Sequence, residues 1–239
     1  MNYISIVSTI VTFAFAASVF NRYRHRKGMH LLMWGIGLVL FGLGTLSEVI
    51  MSFTFSPAVM KVWYLSGAML TAAWLGQGTI WLLVRKPGVA RITTYVLAAV
   101  SLLAIVLVLM APVTSAASSY DISQPLSAQY KDILVRSGLI TALTIILNIY
   151  GTITLVGGAL YSAYLFWRKQ VLLNRVIGNV LIAAGALMPA MAGSFVGAGL
   201  VDMLYLSELL GVVLMYIGFL QATVTRPVGK EVPATTSAG

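Results

Sequence analysis

The stretch Val201-Asp-Met-Leu-Tyr-Leu-Ser-Glu208 opens the last hydrophobic run of the chain and carries a carboxyl group well into it. Glu208 lies six residues past Asp202, roughly 9 Å along a helix that rises about 1.5 Å per residue. In hydrocarbon an acid at that depth costs a few kcal/mol unless it faces protein or water, finds a partner or carries a proton. The run is therefore both a membrane span and a candidate functional site.

The rest of the chain supplies the matching environment. Of 239 residues, 59% are hydrophobic and 9% charged, against about 25% charged in a soluble domain. The composition is that of an integral membrane protein. Seven runs reach the length of about 20 residues that crosses a bilayer core: about 3–21, 30–51, 58–84, 92–111, 137–166, 175–198 and 201–224. The expected fold is all-α, a polytopic bundle of seven transmembrane helices over residues 1–225 with a disordered cytoplasmic tail at 226–239.

Charge distribution orients this bundle. Twelve of the fifteen Lys and Arg fall in alternate connections: Arg22, Arg24, Arg26, Lys27, then Arg85, Lys86, Arg91, then Arg168, Lys169, Arg175, and finally Arg226 and Lys230. Lys61, Lys131 and Arg136 fall on the other side with five of the six acids. The positive-inside bias makes the basic side cytoplasmic and the N-terminus external, in a multi-pass protein of the inner (plasma) membrane. The net charge of +9 thus serves topology, and nucleic acid is not an expected partner. The first run has no basic residues ahead of it and reads as a retained span. With no cysteine in the chain, disulfides, thiolate metal sites and cysteine nucleophiles are excluded. The stretch 112–132, with Pro112, Pro125 and several Ser, reads as the one long loop; Gly197-Ala-Gly199 reads as a tight turn.

A shift of 141 residues superposes Gly37 on Gly178, Gly44 on Gly185 and Tyr64-Leu-Ser66 on Tyr205-Leu-Ser207, with eight identities in thirty positions. This pattern suggests a 3+1+3 architecture, two parallel triplets joined by an inverting fourth helix, as in transporters whose sites lie between the halves.

Three constellations carry the candidate chemistry. On the external side, Glu48, Lys61, Arg136, Asp202 and Glu208 form one layer, with Glu48 and Lys61 the expected ion pair; the set serves as structural pairing, as a vestibule for a small polar or cationic solute, or as a proton relay through Glu208. On the third run, Trp63, Trp74, Gln77 and Trp81 recur at helical spacing. Trp63 and Trp81 suit the two membrane interfaces, whereas Trp74 and Gln77 suit helix packing or a flat apolar ligand. On the fifth run, Thr141, Thr144, Asn148 and Thr152 form a polar stripe in which Asn148 requires a partner on another helix. Asn179 and Tyr150 make similar demands. The ligand-binding candidates are Glu48, Lys61, Trp63, Tyr64, Trp74, Gln77, Asn148, Tyr205 and Glu208. Pro189 should kink the sixth run and free a carbonyl near Gly185. Two lone histidines form no metal site, and no catalytic motif appears, so an enzyme is not expected.

The segments Arg24-His-Arg-Lys-Gly-Met-His-Leu-Leu-Met-Trp34, Leu46-Ser-Glu48, Ser56-Pro-Ala58, Trp63-Tyr-Leu-Ser-Gly67 and Gly76-Gln-Gly-Thr79 resemble uncharacterised bacterial seven-helix membrane proteins. They are more distantly similar to the seven-helix sensor regions fused to some histidine kinases. That resemblance implies sensing of a ligand or of the membrane, relayed here to another membrane or signalling protein because the chain has no room for an output domain. The topology also resembles that of rhodopsins, but 202–224 holds no lysine and covalent retinal is not expected. The lipid bilayer is the first expected partner. A sensor-like or accessory protein is the first functional reading, and a small-solute or ion transporter with its site between the triplets is the second.

Overall fold

The computed structural model describes residues 3–86, 88–169, 173–197 and 201–223, the side chains at 190, 192–197, 201 and 202 excepted. The chain is all-helical: α1 (Tyr3–Arg26), α2 (Met29–Met51), α3 (Pro57–Leu83), α4 (Val89–Met110), the short α5 (Leu126–Ile133), α6 (Gly138–Arg168), α7 (Leu173–Gly197) and α8 (Val201–Thr223). Among the described residues six of these are long and apolar enough to cross a membrane, namely α1, α2, α3, α4, α6 and Met203–Thr223 of α8; the described side chains of α7 give the apolar stretch Leu173–Pro189. The expected tail and the turn after Gly197 lie outside the described residues.

Local chemistry sets the helix starts. Ser56 caps α3 by accepting from the Val59 N–H, with Pro57 as the first helical residue. Ser137 likewise accepts from the Ile140 N–H to open α6. Gly88, at φ 83°, makes the left-handed turn that starts α4.

The helices form a ring in the order α1, α2, α3, α6, α7, α8 and back to α1, with α4 outside it against α3 and α6. Side-chain pairs give the directions. Gly42 meets Phe13 and Gly35 meets Phe20, so α1 and α2 are antiparallel. Ala72 meets Gly151 and Thr79 meets Gly158, so α3 and α6 run parallel. Small residues set these distances: a Cβ on Gly44 would lie 2.8 Å from Gly67 Cα, and one on Gly185 would lie 2.6 Å from the Gly211 carbonyl. Gly178 and Gly218 repeat that contact further along α7 and α8. The α4 side facing away from the ring exposes Ile92, Tyr95, Val96, Leu102 and Val106, as a lipid-facing helix should.

Two features depart from the sequence reading. Helices α3 and α6 each contain a π-helical segment, Tyr64–Leu70 and Ile153–Gly157. In the first, the Thr71 N–H and its hydroxyl both donate to the Ser66 carbonyl, the hydroxyl at 2.7 Å. The stretch 112–132 is also not an open loop. It holds a 3-10 turn, Ser115–Ser119, and α5, whose Leu126 and Ile133 are buried with Met60, Trp63 and Tyr64. Amphipathic spacing inside a polar, proline-flanked segment buries one face of α5 on the bundle end, and the Val113–Leu134 bridge ties its base.

Glycine contact makes a differential prediction. Gly185→Leu forces α7 and α8 apart against backbone atoms and should cost about 1–3 kcal/mol of stability. Gly138→Ala, with nothing within 4 Å of the added carbon, should change it by no more than about 1 kcal/mol. Thermal unfolding of both variants in the same detergent measures the contrast.

Candidate ligand-binding site

Where the ring helices part, they enclose a cavity of about 650 Å³, within the range of small-molecule sites. α2, α3, α6, α7 and α8 all contribute to its wall, and α5 contributes Ser127, Tyr130 and the exposed Lys131 at one end. Both π segments border it, through Gly67 and Ala68 on α3 and through Leu155 and Val156 on α6. A π turn adds one residue to a helical turn and redirects the side chains beyond it, which is why such turns recur at functional sites.

The acids meet here. Glu48 on α2 is 7% exposed, and its Oε1 accepts from Trp63 Nε1 at 2.9 Å. Glu208 on α8 approaches Glu48 closely enough for the two carboxyl groups to interact directly. The Oε2 atom of each is buried and receives no hydrogen bond among the described residues. Two adjoining carboxyl groups cannot both remain charged in such a place without compensation.

The expected Glu48–Lys61 ion pair does not form. Lys61 lies two residues before Trp63, which turns it well away from the Trp63 face of α3; its Nζ donates instead to the Leu109 carbonyl at the end of α4, at 2.8 Å. Trp63 is correspondingly not an interfacial residue, being 6% exposed and packed edge-on to Tyr130 with ring centroids 5.2 Å apart. Arg136 also leaves the acid layer, its guanidinium 5.0 Å from the Tyr130 ring centre. Burial holds the Tyr130 phenol above its usual pKa, with the Arg136 charge opposing. Outside the cavity, Asp121 is held below its usual value by the hydroxyl and backbone N–H of Ser123, which fold the segment before α5. The Asp202 side chain lies outside the described residues.

Of the nine residues singled out, Glu48, Trp63, Asn148 and Glu208 line the cavity. Asn148 finds the interhelical partner it requires: Nδ2 donates to the Ala68 carbonyl on α3 and to its own Thr144 carbonyl, at 2.8 and 2.9 Å. The others stand elsewhere. Tyr64 is fully buried, its phenol 2.9 Å from the Thr144 hydroxyl. Trp74 Nε1 donates to Ser101 on α4. Gln77 Nε2 stands within hydrogen-bond distance of the Ala90 carbonyl and the Thr93 and Thr94 hydroxyls, which share its two hydrogens, and its Oε1 accepts from the Tyr150 phenol, so its amide binds α4 to the ring. Tyr205 is buried beside Leu204. Asn179 turns back on its own helix, to the Arg175 carbonyl.

The wall also contains residues that sequence reasoning missed: Thr45, Thr71, Tyr130, Ala186 and Met215. None carries a signal of its own, because a threonine or alanine in an apolar run reads as packing. Pro189, expected as a kink, also lines the cavity, and its ring packs against Gly211.

Comparison with models of protein families, with curated proteins and with solved structures finds no match.

Because Trp63, not Lys61, holds Glu48, Trp63→Phe should destabilise the protein by about 1–3 kcal/mol through loss of the donor to a buried carboxyl group. Lys61→Met loses one partly exposed contact and should cost no more than about 1 kcal/mol. Urea or thermal unfolding in detergent ranks the two; equal losses would restore Lys61 as a partner of the acids.

Proposed function

We propose that this chain is a seven-span protein of the plasma membrane, N-terminus outside, that binds a small ligand in the cavity between its two halves. It then acts as a sensor-like or accessory component through another membrane or signalling protein. The observation that carries this reading is the cavity itself: about 650 Å³ inside the ring, bordered by two carboxyl oxygens that receive no donor among the described residues.

The seven-span count is supported by α7, a helix of 25 residues, long enough to cross a bilayer core. The basic residues at the α1–α2, α3–α4 and α6–α7 connections then face the cytoplasm. A 3+1+3 relation is supported by the ring order, in which α1–α2–α3 is followed by α6–α7–α8 with α4 outside. Gly37 and Gly44 pack on α3 as Gly178 and Gly185 pack on α8.

The transporter reading requires a polar path leading inward past Gln77. That amide is occupied by α4 and Tyr150, and the wall furthest from α5 is formed by Leu75, Leu155 and Met215. Both observations favour binding over passage.

Native mass spectrometry of the protein extracted from its own membrane in a mild detergent tests the proposal. The expected result is a small molecule held one to one by the wild type, with occupancy reduced at least ~tenfold in Ala186→Phe, whose new ring occupies the cavity. Retention that is equal in the two proteins, or a bare wild-type chain, would refute it.

A further inference from the structure

The chemistry of the wall narrows the ligand class. Below α5, nearly every side-chain donor that borders the cavity is already spent. Trp63 Nε1 donates to Glu48, and the Thr45 and Thr71 hydroxyls donate to the Gly42 and Ser66 carbonyls. Both amide hydrogens of Asn148 go to backbone carbonyls, which leaves Oδ1 as its remaining function. The exceptions among the described residues are Thr152 and, on α5, the Ser127 hydroxyl, which is buried without a partner, and the Tyr130 hydroxyl; all three can donate or accept. What remains are acceptors: the Oε2 atoms of Glu48 and Glu208, the Asn148 amide oxygen and the lone pairs of the threonines.

An acceptor-rich wall around two carboxyl groups calls for a ligand that brings hydrogen-bond donors and positive charge together. Among the described residues the one lysine, arginine or histidine that borders the cavity is Lys131 on α5, and it is exposed. A metal ion is a poor match, since no group of three or more His, Cys, Asp or Glu side chains converges among the described residues. An ammonium head offers three donors. The remaining wall is apolar, with Phe41, Leu75, Leu155, Val156 and Met215 lying away from the acids.

We propose that the cavity binds a small primary amine in its ammonium form, the head between Glu48, Glu208 and the Asn148 amide oxygen and an alkyl or aryl body against the apolar wall. This rests on the cavity being a ligand site and adds the class of ligand to it. Charge compensation selects the head, because an ammonium between the two carboxyl groups replaces their repulsion with two attractive pairs. Burial of the hydrocarbon body against the apolar wall selects the rest of the molecule.

Isothermal titration calorimetry of the full chain in lipid nanodiscs, with hexylammonium chloride, 1-hexanol and sodium hexanoate as probes, tests the assignment. Hexylammonium should bind saturably at one site, at least ~tenfold more tightly than 1-hexanol, and hexanoate should not bind. Glu208→Gln and Glu48→Gln should each weaken hexylammonium at least ~tenfold while leaving 1-hexanol within about twofold. The amide oxygen that Glu48→Gln introduces can still accept from Trp63, and unfolding of each variant verifies the fold. Equal binding of amine and alcohol, both lost in Ala186→Phe, would overturn the amine assignment and leave the cavity as a site for neutral ligands. Absence of hexylammonium binding, or binding unaffected by either glutamate substitution, would overturn it as well.

Discussion

Inside a bilayer the surroundings are as apolar as the side chains, so helices gain little by hiding leucine from lipid and must associate through close contact and hydrogen bonding. The chain meets that constraint with small residues placed where helix axes approach. Gly44 against Gly67, Ala72 against Gly151, and Gly185 against Gly211 bring backbone atoms nearly into touch. These contacts close the ring. Polar side chains add to it where they reach across: Asn148 to Ala68, Gln77 to α4 and Tyr150, and Ser18 to Tyr216 at 2.7 Å.

A ring held by close contacts at certain levels leaves room at others, and the cavity lies there. The two π turns contribute directly, since each shifts the register of its helix beside the space and turns Gly67, Ala68, Leu155 and Val156 toward it. The same arrangement brings Glu48 and Glu208 together from α2 and α8. In hydrocarbon such acids are tolerable only when protein surrounds them and something neutralises them. Trp63 supplies one hydrogen bond; the remaining demand is met by a proton or by a bound cation, and this is the link from packing to function.

At the α5 end, aromatic packing takes over from glycine contact. Tyr130 packs near Trp63 and Tyr64, with ring centroids 5.2 and 5.7 Å away, and the Arg136 guanidinium lies over the same ring. Phe55 and Tyr120 form a second pair at 5.0 Å. Thus α5 is seated by a few large rings, and its Ser127, Tyr130 and Lys131 border the cavity where it nears the surface. Burying apolar area is effective there, because α5 leaves Lys131 and Asp132 exposed where water, not lipid, suits them.

Much of the architecture is legible from composition and periodicity. The helix limits Met29–Met51, Pro57–Leu83 and Val201–Thr223 differ from the sequence reading by one residue at most ends, because apolar run length and the Ser-Pro cap are local properties. Glu208 as an acid inside hydrocarbon, and Asn148 as a side chain needing a neighbour, are likewise readable from position. The partners are not. Lys61 and Trp63 are two residues apart on one helix, and it takes the rotation of α3 to bring the indole, not the ammonium, to Glu48. Nothing local distinguishes Thr71 or Ala186 as cavity residues, or marks Tyr64–Leu70 and Ile153–Gly157 as π turns. Residue type and spacing along one chain suffice for the apolar helices, their lengths and the depth of each charge. Which faces turn inward, which donors are spent and where the acids meet follow from contacts between residues far apart in the chain, such as Glu48 and Glu208 or Ser18 and Tyr216, and no local pattern encodes those.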